Sequence, residues 1–274
     1  MEINTGNQLK GYIRREIKGT PMHSNYGYNY YFCRSFLERL YGENPDTFIL
    51  KGSLSQFSTL KQFTRPITDI DITTFDKVEN AKEVIEDVIS SSGNIKYTIK
   101  QKFVTTNATI NYRIMCQFDQ IAQMIEVDLR KEVNDAEVLK TDLPILFSKD
   151  NPFEVNTFSL EEHLARKIYI SFLNLVLYEQ LGKEFRRFKD FYDIYSILGK
   201  GDINHEAVAK RVREYISKDQ FLANYTLKSN LFSDQFIKQN NEQYDLISKK
   251  NEFDSGIKLS DTTAVLNEYI SRIK

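Results

Sequence analysis

The hydrophobic pattern changes its period part-way along this chain, and that change most limits the folds open to it. Between residues 95 and 129, apolar and polar residues alternate in three successive segments. Such alternation is typical of strands with one buried face, and successive segments of this kind indicate an antiparallel sheet. From about Ser159 onward, apolar residues instead recur at helical spacing. We therefore predict an α+β chain, with a sheet domain over residues 1–150 and helices over 151–274. The boundary falls at the polar break Lys149–Pro152.

Composition excludes several classes of protein. The 274 residues carry a formal net charge of -1, which argues against a general binder of polyanions. Cys33 and Cys116 lack the CxxC spacing, so we expect free thiols, a reducing compartment and no zinc site. The N-terminus has no signal-peptide pattern, and no apolar run approaches the ~20 residues that span a bilayer. We expect a cytoplasmic protein without a membrane partner.

Two aspartates form the first candidate site. Asp69 and Asp71 alternate with Ile70 and Ile72 in the segment TDIDIT, which reads as a strand. Residues two apart on a strand share one face, so the two carboxylates lie side by side. Their mutual repulsion is relieved by a cation, and oxygen ligands suit Mg²⁺ or Mn²⁺. The segment predicts a divalent metal site.

A third carboxylate, Asp128, lies in a later alternating segment. It shares a strand face with Glu126, opposite the apolar residues of IEVDL. If that strand pairs beside Asp69 and Asp71, three carboxylates converge. Such a set can hold two metals ~4 Å apart, the arrangement that promotes in-line displacement at phosphorus. The alternative is a set of solvated acids on an open strand face.

A candidate phosphate site precedes the aspartates. The run Phe48–Leu50 reads as a buried strand that ends at Lys51, and a helix follows from Ser53. Gly52 lets the backbone approach a phosphate closely, and Ser53 is predicted to cap the helix, whose N-terminus favours anions. An anion site next to a metal site is what a metal-chelated triphosphate requires.

The second half of the chain supplies candidate cations. Lys167 lies at the edge of the apolar face of a long predicted helix. Arg187, Asp190 and Asp193 follow with spacings that place them on one side of another helix. Surface ion pairs would give the same pattern. The segment KEFRRFKD also holds Lys183, Arg186 and Lys189, either as a nucleic-acid contact or as a solvated helix start.

Helix ends are predicted from local signals. Gly42 is the expected C-cap of the helix that contains Cys33. Asp76 and Glu79 have the spacing of a capping box, and Asn204 should cap a later helix.

In these residues the chain resembles the AbiEii/AbiGii-type nucleotidyltransferase toxins, within the DNA polymerase β-like nucleotidyltransferase superfamily. The resemblance spans about residues 45 to 200. Its segments, in the family's order, are FILKGS (48–53), RPITDID (65–71), IEVDL (125–129), EEHLARKIYI (161–170) and RFKDFYDIY (187–195). Two departures stand out: members often carry Lys-Gly-Gly where Ser53 stands here, and a Ser or Thr where Ile67 stands, with Thr68 shifted by one.

The resemblance implies a fold and roles for individual residues. It implies a mixed sheet flanked by helices, then a helical bundle, with the active site in the cleft between them. Asp69, Asp71 and Asp128 would bind Mg²⁺ or Mn²⁺, and Asp128 would also take a proton from the attacking hydroxyl. Gly52, Ser53, Arg65, Lys167 and Arg187 would bind the nucleoside triphosphate, and Asp190 would support the site.

The acceptor stays open at this stage. The resemblance implies transfer of a nucleoside monophosphate to an acceptor such as tRNA or another RNA, by the toxin of a toxin–antitoxin pair with a cognate antitoxin protein. A protein side chain or a small molecule is the alternative acceptor. A non-catalytic module that binds nucleotide or a partner is the alternative outside enzymology.

Overall fold

The computed structural model describes residues 3–18, 23–62, 64–105, 109–132, 136–143, 151–200, 202–222, 232–251, 253–254 and 256–273. The strands are β1 (Ile49–Lys51), β2 (Asp69–Thr74), β3 (Lys96–Val104), β4 (Ile110–Phe118), β5 (Ile121–Lys131), β6 (Val138–Leu143) and β7 (Phe153–Phe158). The helices are α1 (Gly6–Glu16), α2 (Ser24–Glu43), α3 (Gly52–Leu60), α4 (Val78–Ser90), α5 (Leu160–Leu181), α6 (Phe188–Lys200), α7 (His205–Lys218), α8 (Asp234–Lys250) and α9 (Leu259–Ile273).

The strands form one mixed sheet in the order β3-β4-β5-β2-β1-β7-β6. The pairs β2–β5 and β1–β7 are parallel, and the other neighbours are antiparallel. The three alternating segments of the sequence are β3, β4 and β5, and their antiparallel pairing confirms the prediction. Strands β6 and β7 were not predicted from the sequence.

One face of the sheet is apolar because the strands alternate. In β2, Ile70 and Ile72 are fully buried, whereas Asp69 and Asp71 point to the other face and are half-buried. Helices α2 and α4 pack on the apolar face, where Phe36 of α2 meets Tyr97 of β3 edge-to-face, with ring centroids 5.3 Å apart. Each such buried side chain contributes roughly 1.5–3 kcal/mol. Helix packing therefore fixes which face of β2 carries the carboxylates.

The helix ends predicted at Gly42 and at Asp76 are wrong. Helix α2 continues through Gly42 to Glu43, with Asn44 as its C-cap. Helix α4 begins at Val78 with Lys77 as its N-cap and no side-chain cap, so Asp76 lies one residue before the capping position. The cap at Asn204 is confirmed, since its side chain accepts from the Ala207 amide.

The chain divides into two compact units. The sheet unit comprises Met1–Lys61 and Pro66–Phe158, and the helical unit comprises Gln62–Arg65 and Ser159–Lys274. Helices α1 and α2 belong to the sheet unit. Of the predicted boundary, Lys149 and Asp150 lie outside the described residues. That the halves are separate domains stays a prediction.

In the helical unit, α5 packs against α6 and α7, and α9 against α6, α7 and α8. The centre is aromatic: Phe185 lies 5.0 Å from Phe188 and 5.1 Å from Phe191 between ring centroids. The long predicted helix that contains Lys167 is α5, the one that contains Asp190 is α6, and the one capped by Asn204 is α7. Within the described part of the chain, no helix is both long and apolar enough to cross a membrane.

Candidate active site

The three predicted carboxylates lie on neighbouring strands of the sheet unit. Strands β2 and β5 run parallel, with Asp71 opposite Asp128 and Asp69 opposite Glu126. Residues directly opposite on paired strands share a face, so Asp69, Asp71 and Asp128 all point away from helices α2 and α4. The condition set by the sequence, pairing of the IEVDL strand with the TDIDIT strand, is met.

Gly52 lies directly against Asp71. Its φ is +66°, and a Cβ built at this position would lie only 2.1 Å from Asp71 Oδ2. A side chain here would therefore meet both backbone strain and a clash with the carboxylate. The glycine joins β1 to α3 and brings the N-terminus of the helix to the edge of the acidic site.

Ser53 does not cap α3, contrary to the prediction. The N-cap position is Lys51, and no side-chain hydrogen bond caps the helix. The reason is register: the helix already begins at Gly52, so Ser53 lies inside its first turn. The Ser53 hydroxyl is buried and has no hydrogen-bond partner. A buried hydroxyl beside free helix amides suits a phosphate oxygen.

The electrostatics of the site centre on Asp71. Burial and the nearby carboxylates of Asp69 and Asp128 raise its pKa to about 6, although Arg130 and Lys51 act in the opposite direction. Crowded carboxylates shift in this way when no cation balances them. Asp71 therefore sits where a divalent ion would be most favourable.

Asp128 and Asp69 are each held by polar neighbours. The Asn111 side-chain amide donates to Asp128 Oδ1, and an Arg130 guanidinium nitrogen lies 3.7 Å from Asp128 Oδ2. The Thr68 hydroxyl donates to Asp69 Oδ1 at 3.2 Å, so the shifted threonine contacts the site through its neighbour. Asn111 was missed by the sequence analysis, since its only signal is its place opposite Asp128 in the register.

The oxygen donors fit a hard cation, although they are not gathered around one point. Among the described residues, no group of three or more His, Cys, Asp or Glu side chains is arranged to hold a metal ion. Carboxylate oxygens are ligands that suit Mg²⁺ or Mn²⁺. The raised pKa of Asp71 fits a nearby cation, and the unpartnered Ser53 hydroxyl fits a phosphate oxygen.

The remaining predicted site residues belong to the helical unit. Lys167 Nζ donates to Asp190 Oδ1 at 2.9 Å and to Asp193 Oδ2 at 2.8 Å. Arg65 makes a bidentate pair with Asp193, at 2.9 Å and 3.2 Å. Arg187 lies 3.5 Å from Asp190 Oδ2, with its side chain 45% exposed. Lys167, Asp190, Arg65 and Arg187 are thus joined in one network.

Asp193 is the centre of this network, a role that the sequence analysis did not assign. It is fully buried. Burial would raise its pKa, but Arg65 and Lys167 outweigh that effect and hold the pKa at about 2. Burial would likewise lower the pKa of Lys167, yet Asp190 and Asp193 raise it well above its usual value. Both groups are charged at neutral pH.

Lys51 is a further charged residue of the sheet unit that the sequence analysis did not select. It lies opposite Asp71 in the β1–β2 pair, and its Nζ is 3.8 Å from the buried carboxylate of Glu132. Its signal was available, because Lys51 directly precedes Gly52 at the end of a buried strand.

Comparisons with known proteins agree with this fold. The family model described as "Nucleotidyl transferase AbiEii toxin, Type IV TA system" matches residues 35–261. The structure of JHP933 from Helicobacter pylori aligns with a TM-score of 0.51 at 14% identity, covering 88% of this chain and 89% of that chain. A second H. pylori structure, of a protein named as a nucleotidyltransferase, aligns with a TM-score of 0.50 at 15% identity, covering 88% of this chain and 92% of that chain. No curated protein matches the sequence.

The α+β architecture, with its mixed sheet followed by helices, is the fold of these two H. pylori structures, one of which is named as a nucleotidyltransferase. The family match covers most of the chain, and the chain belongs to the AbiEii nucleotidyltransferase toxin family of type IV toxin–antitoxin systems. The resemblance noted in the sequence is confirmed. Membership implies a nucleoside triphosphate as substrate and an antitoxin in the same system.

Proposed function

We propose that this chain transfers a nucleoside monophosphate from a triphosphate to an RNA, with Mg²⁺ or Mn²⁺ bound by Asp69, Asp71 and Asp128. The observation that carries the proposal is the contact of Gly52 with Asp71, in a strand paired with that of Asp128. This contact places the N-terminus of α3, and the Ser53 hydroxyl that lacks a hydrogen-bond partner, beside the crowded carboxylates. A phosphate and a divalent cation bound together would satisfy both features.

Each residue has a task in the proposed reaction. Asp128 accepts the proton of the acceptor hydroxyl, whose oxygen bonds to the α-phosphorus while the bond to the leaving pyrophosphate breaks. Gly52 and Ser53 bind phosphate oxygens through the backbone amides and the hydroxyl. The bound metal would neutralise charge that develops on the phosphate oxygens.

The helical unit supplies the cations of the proposal. Lys167 and Arg65 bind phosphates, Asp190 and Asp193 hold Lys167 in position, and Arg187 fixes Asp190 or contacts the nucleotide. Preorganised cations of this kind favour charge that builds up in the transition state. The Lys167 ammonium is well suited, because two carboxylates already fix its direction.

RNA is the acceptor we favour, with tRNA as the first candidate, and a protein or small molecule is the alternative. Our proposal also includes a cytoplasmic location and an antitoxin that limits the activity. A molecule that only bound nucleotide would have no need of a proton acceptor beside the phosphate site. The position of Asp128 opposite Asp71 therefore favours catalysis over binding alone.

The decisive experiment is a label-transfer assay. Purified protein is incubated with Mg²⁺, each α-labelled triphosphate, total RNA and a soluble protein extract, and label is sought in RNA, protein and small molecules. We expect label in RNA, and we expect Asp71→Asn to abolish it, because the amide loses the charge that a hard cation requires.

The matched control is Glu126→Gln. Glu126 lies on the same sheet face, opposite Asp69, but it is 44% exposed and paired with Arg113 at 2.9 Å. This variant should keep near-normal transfer. Near-normal turnover of Asp71→Asn with Mg²⁺ would show that the carboxylate assignment is wrong. Label in protein or a small molecule alone would replace RNA as the acceptor.

A further inference from the structure

A row of side chains crosses five strands on the polar face of the sheet unit. Lys51 lies opposite Asp71, Asp71 opposite Asp128, Asp128 opposite Asn111, and Asn111 opposite Phe103. Directly opposite residues share a face, so the five side chains form one line from β1 to β3. The row joins the candidate active site to an aromatic residue that the proposed reaction does not use.

The order along the row gives the acceptor a direction. Gly52 and Ser53, the proposed phosphate site, lie at the β1 end, next to Asp71. In an in-line displacement the attacking and leaving oxygens lie on opposite sides of phosphorus. If pyrophosphate leaves on the Gly52 side, the acceptor must approach from beyond Asp128, which is the side of Asn111 and Phe103.

Phe103 presents an exposed ring at this end of the row. It is 49% exposed. It lies two strand spacings from Asp128, or about 10 Å. A single exposed aromatic residue is ordinary on a protein surface, but this one lies in register with a proposed proton acceptor. The Asn111 amide, fixed by its hydrogen bond to Asp128, fills the position between them.

Two arginines flank the row on the same face. Arg113 lies opposite Glu126, two residues before Asp128 on β5, and Arg130 lies two residues after it. Their side chains are 47% and 53% exposed, respectively. An aromatic ring with guanidinium groups on either side is the combination that binds single-stranded nucleic acid, with the base on the ring and phosphates at the arginines.

We propose that Phe103 is the stacking platform for the base at the reacting end of an RNA acceptor, with Arg113 and Arg130 contacting the adjacent phosphates. This inference rests on the proposed function, because that function defines the reacting centre. Every base has a face that can stack, so the contact orients the acceptor without selecting its sequence.

The test is a binding titration with a fluorescent single-stranded RNA of about 12 nucleotides, a length within the range that single-strand binders cover. Phe103→Ala should raise the Kd for this RNA about 5- to 150-fold, the range expected for loss of one stacked base. Phe103→Trp should retain the affinity. Neither change should alter the affinity for a fluorescent triphosphate measured in the presence of Mg²⁺.

Two variants serve as controls. Val104→Ala truncates the neighbouring residue, which is 70% exposed but lies on the opposite strand face. Phe221→Ala removes a ring that is 42% exposed in the helical unit. Both should bind the RNA as wild type does.

Three results obtained with the variants would overturn the inference. These are an unchanged Kd for Phe103→Ala, an equal loss in either control variant, or a loss of triphosphate affinity that matches the loss of RNA affinity. Absence of RNA binding by the wild type would also overturn it. In that case label transfer to a protein or small molecule would leave nucleotidyl transfer itself intact, so the two failures are distinguishable.

Discussion

Asp193 shows how a single buried residue can organise several candidate site residues. Its carboxylate accepts from Arg65 on one side and from Lys167 on the other, and it is fully buried. A buried charge is tolerated when opposite charges and hydrogen bonds surround it. Lys167 is therefore a structural part of the helical unit as well as a proposed phosphate ligand.

This double role gives the prediction at the residue scale. Lys167→Ala should lower the free energy of unfolding by about 3 kcal/mol, because it leaves buried carboxylates without one of their partners. Arg187→Ala, which removes a half-exposed cation 3.5 Å from Asp190, should cost under ~1 kcal/mol. Urea titration at neutral pH measures both values.

Transfer activity separates the two roles of Lys167. At a temperature where the variant is still folded, we expect Lys167→Ala to lower turnover on the order of 10²-fold, as for loss of a transition-state contact. If Lys167→Ala lowers stability but keeps turnover within about threefold of wild type, Lys167 has a structural role and does not contact the transition state. Unfolding free energies of wild type and Lys167→Ala within 1 kcal/mol would contradict the network's importance.

At the scale of elements, the sequence predicted the strands that carry the acids. Alternating patterns located β2 to β5, and the apolar partners of Asp69 and Asp128 indicated which face each carboxylate would take. The pairing of β2 with β5 was only a condition, because their register depends on residues far apart in sequence. The link between Arg65 and Asp193 was out of reach for the same reason.

Local capping was harder to predict than strand position. Helix α3 begins at Gly52, one residue earlier than expected, and this glycine has a positive φ and lies against Asp71. Helix α2 passes through Gly42, since a glycine costs only ~1 kcal/mol in a helix and Tyr41 is anchored through its hydroxyl to the Phe48 carbonyl at 3.2 Å. Tertiary contacts overrode both local signals.

The segment between α5 and α6 carries the prediction at the element scale. Phe185 and Phe188 are fully buried and anchor it, while Lys183, Glu184 and Arg186 are exposed and line a surface pocket. If the cations contact RNA phosphates, Lys183→Ala/Arg186→Ala should make the log–log salt slope of binding shallower by about 1.4, at ~0.7 per contact.

The salt series also tests the alternative that these exposed charges are solvated and do not contact RNA. Arg186 lies 3.0 Å from Glu184, which is the arrangement of a solvated ion pair. Coinciding salt slopes for wild type and the double variant would assign the segment to that role. The double variant spares Arg187, so an effect on the nucleotide would not be mistaken for an effect on RNA.

At the scale of the whole molecule, each unit carries a carboxyl group with a shifted pKa, and the two shifts have opposite directions. In the sheet unit, the pKa of Asp71 is raised to about 6, so its protonated form is favoured by folding. In the helical unit, the pKa of Asp193 is lowered to about 2, so its charged form is favoured. By linkage, the protonated Asp71 contributes stability that is fully present below pH ~4 and is lost as the pH rises through about 6. The charged Asp193 contributes stability that is fully present above pH ~4 and is lost as the pH falls through about 2.

We therefore predict that pH affects the two units in opposite directions in metal-free protein. From pH 4 to 7, the free energy of opening should fall in β2 and β5 by up to about 3 kcal/mol, at ~1.4 kcal/mol per pKa unit, and it should stay constant in α5 and α6. From pH 4 to 2, α5 and α6 should lose about 2 kcal/mol. Hydrogen exchange, corrected for the intrinsic rate at each pH and followed by peptide, measures both units in one sample.

Asp71→Asn should remove the loss of stability at neutral pH from β2 and β5, because the amide no longer titrates. It should leave the loss of stability in acid in α5 and α6. A parallel pH response in both units, or a neutral loss that survives this substitution, would show that these two carboxyl groups do not set the pH dependence.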